Sequence, residues 1–554
     1  MVDATDTRRS LLSDRIAAAR ITDVHFHRAS YGLLLAVAAL TAFTLLDYGV
    51  TWDEQVHKIY GDFVMEWYRS LFRDTAALRP VQHANMFIYG GLFEILAHLI
   101  GPLLPLGLYE GRHLVTAAFG ILGLAIAYRL GAHLGGAKAG FLSALALSLT
   151  PVFYGQMFFN FKDIPFASLY LLALYFSFLV YDALPHVPKR LLLACGVAIG
   201  LALGVRVAGV LLLGYLGLLG LAWLLIEGFK GETAFSRRTL TLILPVGTAV
   251  GIIAALAWLV MLIWWPWAQV SPFANPLRAL QLTLYFSDWF GTVFFDGRTF
   301  PVAELPRSYL PTWIAISLPE FYFIALAVGA ALAAQALVGR QYSRERCLQF
   351  VKIGALIIAA LLPLATAVIR HSIVFDGMRH FLFVLPPLAV LAGVSVAHFL
   401  AVPRFAVPLK AAVALALAFS AAVTVFDLVR LHPYQYVYFN RLVAGGAEAG
   451  ARRFETDYWG LSYKEGVDWL IDNYRPDTSN PIGVANCSLP LLTGYYLDNA
   501  PAAKGRFVSV LPSQRPRIFM ATTRFSCQNS RAGRVLHVVE RAGVPLLYIK
   551  ELPP

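Results

Sequence analysis

The feature that most constrains this chain is its series of long apolar runs. Nine of them have the length that crosses a bilayer, about 17–25 residues; they fall near 31–49, 112–131, 138–154, 164–182, 240–263, 320–338, 351–369, 381–400 and 407–428. In a bilayer core the backbone must satisfy its own hydrogen bonds, so each run is expected to be a helix. The run 191–227 is too long for one crossing and is interrupted by Arg206, so it reads as two short crossings with Arg206 at the turn. The stretch 87–105 is apolar but contains Glu94 and His98 and ends in Pro102 and Pro105. Composition agrees with a polytopic membrane protein: 58% of residues are hydrophobic and 14% charged.

Charge in the short loops sets the expected orientation. Arg129 and Lys138; Lys189 and Arg190; Lys230, Arg237 and Arg238; Arg340, Arg344, Arg346 and Lys352; and Arg404 and Lys410 cluster between apolar runs. Such loops mark the cytoplasmic side. They all fall on one side if 1–29 is a cytoplasmic tail, 87–105 is re-entrant or juxtamembrane, and eleven crossings leave the C-terminus outside. The net charge of +12 is explained by these loops, and nucleic acid is not an expected partner. The tail carries five arginines and no apolar core, so the first run is read as an uncleaved anchor. The expected location is a cell membrane, such as a bacterial inner membrane. The transmembrane unit is 30–429, with extracytoplasmic loops 50–111 and 265–318, and Trp264, Trp265 and Trp267 are read as interfacial aromatics.

From 430 to 554 the composition turns polar. Ser462 and Glu465 have capping-box spacing, followed by a helical face of Val467, Leu470, Ile471 and Tyr474. Ile482–Ala485, Arg517–Ala521, Val535–Val539 and Leu546–Ile549 read as strands, giving a small extracytoplasmic α/β domain. Cys487 and Cys527 can pair in a disulfide if that domain is outside the cytoplasm.

On the extracytoplasmic side the candidate chemical groups converge. Thr51-Trp52-Asp53-Glu54 opens an amphipathic helix with apolar residues at Val56, Tyr60, Phe63, Val64, Trp67 and Leu71. Thr51 and Glu54 fit a capping box, and Asp53 suits either the helix dipole or the role of general base. Lys162-Asp163 is either a solvated pair, or a cation for a phosphate beside a carboxylate for a metal, a sugar hydroxyl or the proton. Arg206 implies an anionic partner, a carboxylate of the protein or a phosphate. The segment 370–380 brings Arg370, His371, Arg379 and His380 to that side, a set suited to a lipid phosphate or to headgroup anchoring. His83, Asp288 and Tyr309 are candidates for acceptor or sugar contacts. No phosphate-cradling glycine loop, dinucleotide fingerprint or zinc-type cluster stands out.

These motifs together resemble the GT-C membrane glycosyltransferases, and most closely the protein mannosyltransferase and aminoarabinose transferase branch, glycosyltransferase family 39 and its bacterial relatives. The likeness covers roughly residues 30–400 and rests most specifically on Trp52-Asp53-Glu54 and Lys162-Asp163, with Gly111-Arg112-His113 through Pro151; Asp376-Gly377-Met378-Arg379-His380 and His432-Pro433-Tyr434 through Asp457-Tyr458-Trp459-Gly460 resemble a bacterial subgroup. It implies a polyprenyl-phosphate sugar as donor, a glycan, lipid or protein acceptor, and inverting transfer outside the cytoplasm. It makes Asp53 the base supported by Glu54, Asp163 the second acid, and Arg379 and His380, with Lys162 and Arg206, the phosphate ligands. Relatives open the re-entrant run with His-Pro-Pro, where this chain has His83-Ala84-Asn85-Met86. Metal use differs between branches, so a divalent ion on Asp53 and Asp163 stays open. The rival reading is a lipid or solute transporter or flippase, which predicts internal repeats and midplane broken helices; neither is evident.

Overall fold

The computed structural model describes residues 4–82, 84–228, 237–286, 289–338, 343–475 and 480–553. Among these, nine helices are long and apolar enough to cross a membrane. One of the nine, Leu108–Ser148, is a hairpin broken at Gly135 and Gly136, where Gly136 has φ 82°. Its two arms pack so closely that a Cβ on Gly140 would lie 2.6 Å from the Tyr128 carbonyl. The 15-residue helix Lys189–Leu203 packs along Arg237–Trp264. The hairpin contributes two arms, and the 15-residue helix is shorter than the roughly 17 residues that cross a bilayer. The protein is a multi-pass membrane protein, mostly helical, with a small sheet domain at its C-terminal end.

The stretch 87–105 does not form a spanning helix. It folds as Met86–Ile88, the nine-residue helix Leu92–Ile100 and the turn Gly101–Leu103, far short of a bilayer's thickness. Its entry is tied to the bundle, with Gly91 N donating to Trp264 O at 2.7 Å and Leu92 N to Gly204 O at 3.2 Å. Trp265 departs from the interfacial reading: it is fully buried, and its indole N–H donates to Phe87 O at 2.8 Å. It ties this short stretch to the bundle. Glu94 and His98 made that stretch ambiguous, and the buried Glu94 has internal partners, His57 at 3.1 Å and Arg112 at 2.7 Å.

Seven strands are present among the described residues. β1 (Thr292–Phe295) and β2 (Arg298–Pro301) form an antiparallel hairpin within 265–318. β3 (Ile482–Asn486), β4 (Phe507–Ser509), β5 (Ile518–Thr522), β6 (Arg534–Arg541) and β7 (Val544–Glu551) form one sheet in the order β4-β3-β5-β7-β6. β3 runs parallel to β4 and β5, and β7 antiparallel to β5 and β6. Helices Ser462–Asn473 and Leu491–Asn499 pack on it. The expected capping box at Ser462 does not form. Asp457 takes its place, accepting the backbone N–H groups of Gly460, Leu461 and Ser462 at 2.8–3.1 Å. Glu465 is drawn instead to Arg541 at 2.6 Å and to the Tyr434 hydroxyl at 3.0 Å.

This domain is fastened to the bundle at the point where the chain enters helix Trp52–Arg69. The Tyr496 hydroxyl accepts Val50 N–H at 2.6 Å, the Tyr48 hydroxyl donates to Gln435 Oε1 at 2.9 Å, and Tyr48 stacks on Phe158 at 3.7 Å.

Candidate active site

Helix Trp52–Arg69 starts in a complete capping box. Thr51 N–H donates to Glu54 Oε1 at 2.8 Å, and His113 Nε2 lies 3.1 Å from both Glu54 oxygens. Glu54 is fully buried in these contacts. One turn on, His57 bonds the Glu94–Arg112 pair and packs edge-on against Phe161 with centroids 4.5 Å apart. Two polar anchors therefore fix the helix start, and Asp53 projects from between them.

Asp53 meets a cluster assembled from four separate parts of the chain. Arg379 Nη1 donates to its Oδ2 at 2.9 Å, and Lys162 Nζ lies 4.0 Å from the same oxygen. Next along the chain from Lys162, Asp163 pairs with Arg206 and accepts Asn160 Nδ2 at 3.0 Å. The Tyr89 ring lies under both Lys162 (4.9 Å) and Arg206 (5.9 Å). Arg379 turns its other nitrogen, Nη2, to Asp376 Oδ2 at 3.0 Å, and Asp376 also pairs with Arg524 of the C-terminal domain. Arg524 lies 3.9 Å over the Trp52 ring and donates to Tyr458 O at 2.7 Å. Asp53 is 26% exposed, while Lys162, Asp163, Arg206, Asp376, Arg379 and Arg524 are 12% or less. The acid is thus the most open member of the cluster.

The loop that carries Asp376 is built for this turn. Asp376 and Gly377 are consecutive left-handed residues, φ 56° and 68°. A side chain at 377 would be strained and would meet the Trp313 ring 3.3 Å away, so glycine is required there.

Electrostatics follow from this packing. Burial raises the Asp53 carboxyl, but Arg379 and Lys162 outweigh it and bring it down to about 2. Glu455 behaves oppositely. Burial, helped by Asp376 and opposed by Arg524, pushes it up to about 8. Its Oε2 has no hydrogen-bond partner among the described residues. Four cations (Lys162, Arg206, Arg379, Arg524) thus stand among the carboxyl groups of Asp53, Asp163 and Asp376, with Glu455 beside them.

The other expected residues lie differently. Tyr309 is buried beneath the loop, its hydroxyl accepting Gly377 N–H at 3.1 Å, so it supports Asp376 from behind. His380 packs edge-on against Phe375 with centroids 4.9 Å apart. Arg370 lies over Tyr285 at 4.7 Å and His371 bonds Leu305 O at 2.6 Å, so half of the loop's cationic set holds the neighbouring loop and faces away from the cluster. His83 and Asp288 lie outside the described residues. Cys487 and Cys527 are joined by a disulfide. Among the described residues no group of three or more His, Cys, Asp or Glu side chains could hold a metal. Asp53 and Asp163 each already face a guanidinium, a donor set that does not suit a divalent ion.

Asp376, Glu455 and Arg524 escape sequence reasoning as site residues. Asp376 sat inside a recognised segment, overshadowed by its cations. Glu455 carries no pattern. The one hint for Arg524 was Cys527, three residues on.

Residues 110–265 match the sequence model of the dolichyl-phosphate-mannose-protein mannosyltransferase family. The matched stretch contains Lys162, Asp163 and Arg206; Asp53, Arg379 and Arg524 lie outside it. No curated protein matches the chain. Solved structures similar to it include ArnT from Cupriavidus metallidurans in the apo state, 15% identical over 95% of this chain and 99% of that one, with a TM-score of 0.46. The same protein bound to undecaprenyl phosphate matches at 16% identity with the same coverage and TM-score. The archaeal oligosaccharyltransferase AglB from Archaeoglobus fulgidus, in complex with an inhibitory peptide and a dolichol-phosphate, matches at 13% identity over 89% of this chain and 69% of that one, TM-score 0.44. The resemblance carried by the chain's own motifs is thus borne out over 110–265, where the chain is similar to the dolichyl-phosphate-mannose-protein mannosyltransferases.

Proposed function

We propose that the protein is a membrane glycosyltransferase that moves a sugar from a polyprenyl-phosphate carrier to an extracytoplasmic glycan, lipid or protein acceptor, with inversion. The observation that carries this reading is the convergence of Arg379 and Lys162, with Arg206 and Arg524 close behind, on one open carboxylate, Asp53, at one end of a helical bundle. A monoanionic or dianionic phosphate suits those cations. The Arg379 Nε–H is buried and has no hydrogen-bond partner among the described residues.

The geometry supports an order of events. In the resting site Asp53 is a weak base, because Arg379 and Lys162 hold its carboxylate at about 2. A phosphate arriving on Arg379 and Lys162 takes those cations from Asp53. The lowering of the Asp53 carboxyl by those cations is then relieved, and its basicity rises. Donor binding thereby readies the base. Asp53 takes the proton of the acceptor nucleophile, whose heteroatom bonds the anomeric carbon from the face opposite the phosphate. The bond from that carbon to the phosphate oxygen breaks, and the polyprenyl phosphate leaves with both electrons. Fixed cations neutralise it, so no general acid is required.

The test is transfer from radiolabelled polyprenyl-phosphate sugars by the purified protein, beside D53N. Loss of transfer with retained binding of polyprenyl phosphate supports the reading. Full transfer by folded D53N contradicts Asp53 as base.

A further inference from the structure

The C-terminal domain reaches into the cluster through one side chain. Arg524 is buried at the start of the turn Arg524–Asn529, between the Trp52 ring, Tyr458 O and Asp376. The result is an alternating row of charges: Arg524, Asp376, Arg379, Asp53, and Lys162 at its end. Asp376 is nearly inaccessible and has a guanidinium on each oxygen, Arg524 at Oδ1 and Arg379 at Oδ2. A carboxylate that shares two cations neutralises neither fully. Without Arg524, the buried Asp376 would have Arg379 as its one adjacent guanidinium and would cancel its charge. The cluster would lose one of its four cations.

The turn that presents Arg524 is itself constrained. Phe525 and Ser526 are consecutive left-handed residues, φ 55° and 52°, a conformation that costs free energy for residues with side chains. Cys527 is bonded to Cys487 at the end of β3, and the Thr523 and Thr456 hydroxyls lie 2.9 Å apart. Lys550 Nζ donates to the carbonyl of Arg531 at 3.1 Å, closing the far side of the turn.

We infer that Arg524 is a positioning residue that, by sharing Asp376, leaves part of the Arg379 charge uncompensated for a phosphate, and that the Cys487–Cys527 disulfide holds the turn that presents it. The inference rests on the phosphate-binding reading above and deepens it: the small domain is an electrostatic part of the site.

The test is a double-mutant cycle in the full-length protein, read as the affinity for undecaprenyl monophosphate. R524Q is expected to weaken binding by at least about ten-fold, and R524K to restore much of it. D376N removes the carboxylate that would otherwise capture Arg379, so R524Q/D376N should bind within about three-fold of D376N alone. A domain that merely props the fold would give additive losses and no recovery. A dithiol reductant, which breaks the S–S bond into two cysteine thiols and is itself oxidised, should weaken binding by the wild type but leave R524Q unchanged. Wild-type-like binding by R524Q, or a double variant that loses the sum of both single effects, overturns the inference. Should the wild type fail to bind polyprenyl phosphate, the donor reading itself falls. The same cycle is then read in the unfolding temperature of the ligand-free protein, where recovery in the double variant supports the coupling and additivity overturns it.

Discussion

Asp53 and Glu54 are adjacent in the chain and take opposite roles. Glu54 disappears into a cap and a contact with His113, whereas Asp53 stays open and faces cations. Two predictions belong at this scale. D53N should lose transfer by about 10²–10⁴-fold, the span of general-base catalysis. Its affinity for polyprenyl phosphate should be unchanged or higher, because Asp53 competes with phosphate for Arg379. Separate measurement of kcat and of binding checks both. The second concerns Glu455, whose carboxyl is raised from its ordinary value to about 8. A raised acid favours the folded state fully only below its unfolded pKa, about 4.5. That contribution is lost as pH rises towards 8, so between about pH 4.5 and 8 the wild type should lose stability relative to E455Q, measured as the gap in unfolding temperature. An equal gap across that window would contradict a buried neutral Glu455. Asp53 and Lys162-Asp163 were legible because charged residues directly beside membrane runs are conspicuous. Asp376, Glu455 and Arg524 were not, because their importance comes from contacts between distant segments that no local pattern encodes.

At the scale of elements, length and apolar content made the membrane helices legible, since a bilayer admits little else. The stretch 87–105, read as re-entrant or juxtamembrane, forms only the nine-residue helix Leu92–Ile100 between short turns. Short elements of the C-terminal domain were harder. β4 has three residues, and helix Leu491–Asn499 lacks a strong amphipathic pattern. The capping-box spacing at Ser462 forms no box because Asp457, five residues earlier, takes over the helix N-terminus. The box at Thr51 did form, and E54A should cost about 1–3 kcal/mol by leaving Thr51 N–H and His113 without their acceptor. Unfolding by heat, compared with wild type, measures it. The Asp376-Gly377 turn makes a sharper prediction: G377A should impair phosphate binding as well as stability, since the added Cβ meets both a left-handed backbone and the Trp313 ring. Wild-type affinity in G377A would show that the turn does not position Asp376 and Arg379.

For the whole molecule, the account needs the groups from the ends of separate helices and from the C-terminal domain to share one membrane side. Loop charges alone suggested this, and the ion pairs joining Asp53, Arg379, Asp376 and Arg524 agree with it. Reporters fused after residue 553 and within loop 265–318 should both register outside the cytoplasm, and one at 404–406 inside; opposite readouts for the first two would break the topology. The measurement that tests the central claim most directly is transfer itself. Purified protein is incubated with a panel of labelled polyprenyl-phosphate sugars and an envelope extract as acceptor, and the product is identified by mass spectrometry. The account predicts a glycosylated acceptor and free polyprenyl phosphate, with inversion at the anomeric carbon, both lost in D53N. Movement of the intact lipid-linked sugar across the bilayer without cleavage of the sugar–phosphate bond would contradict it.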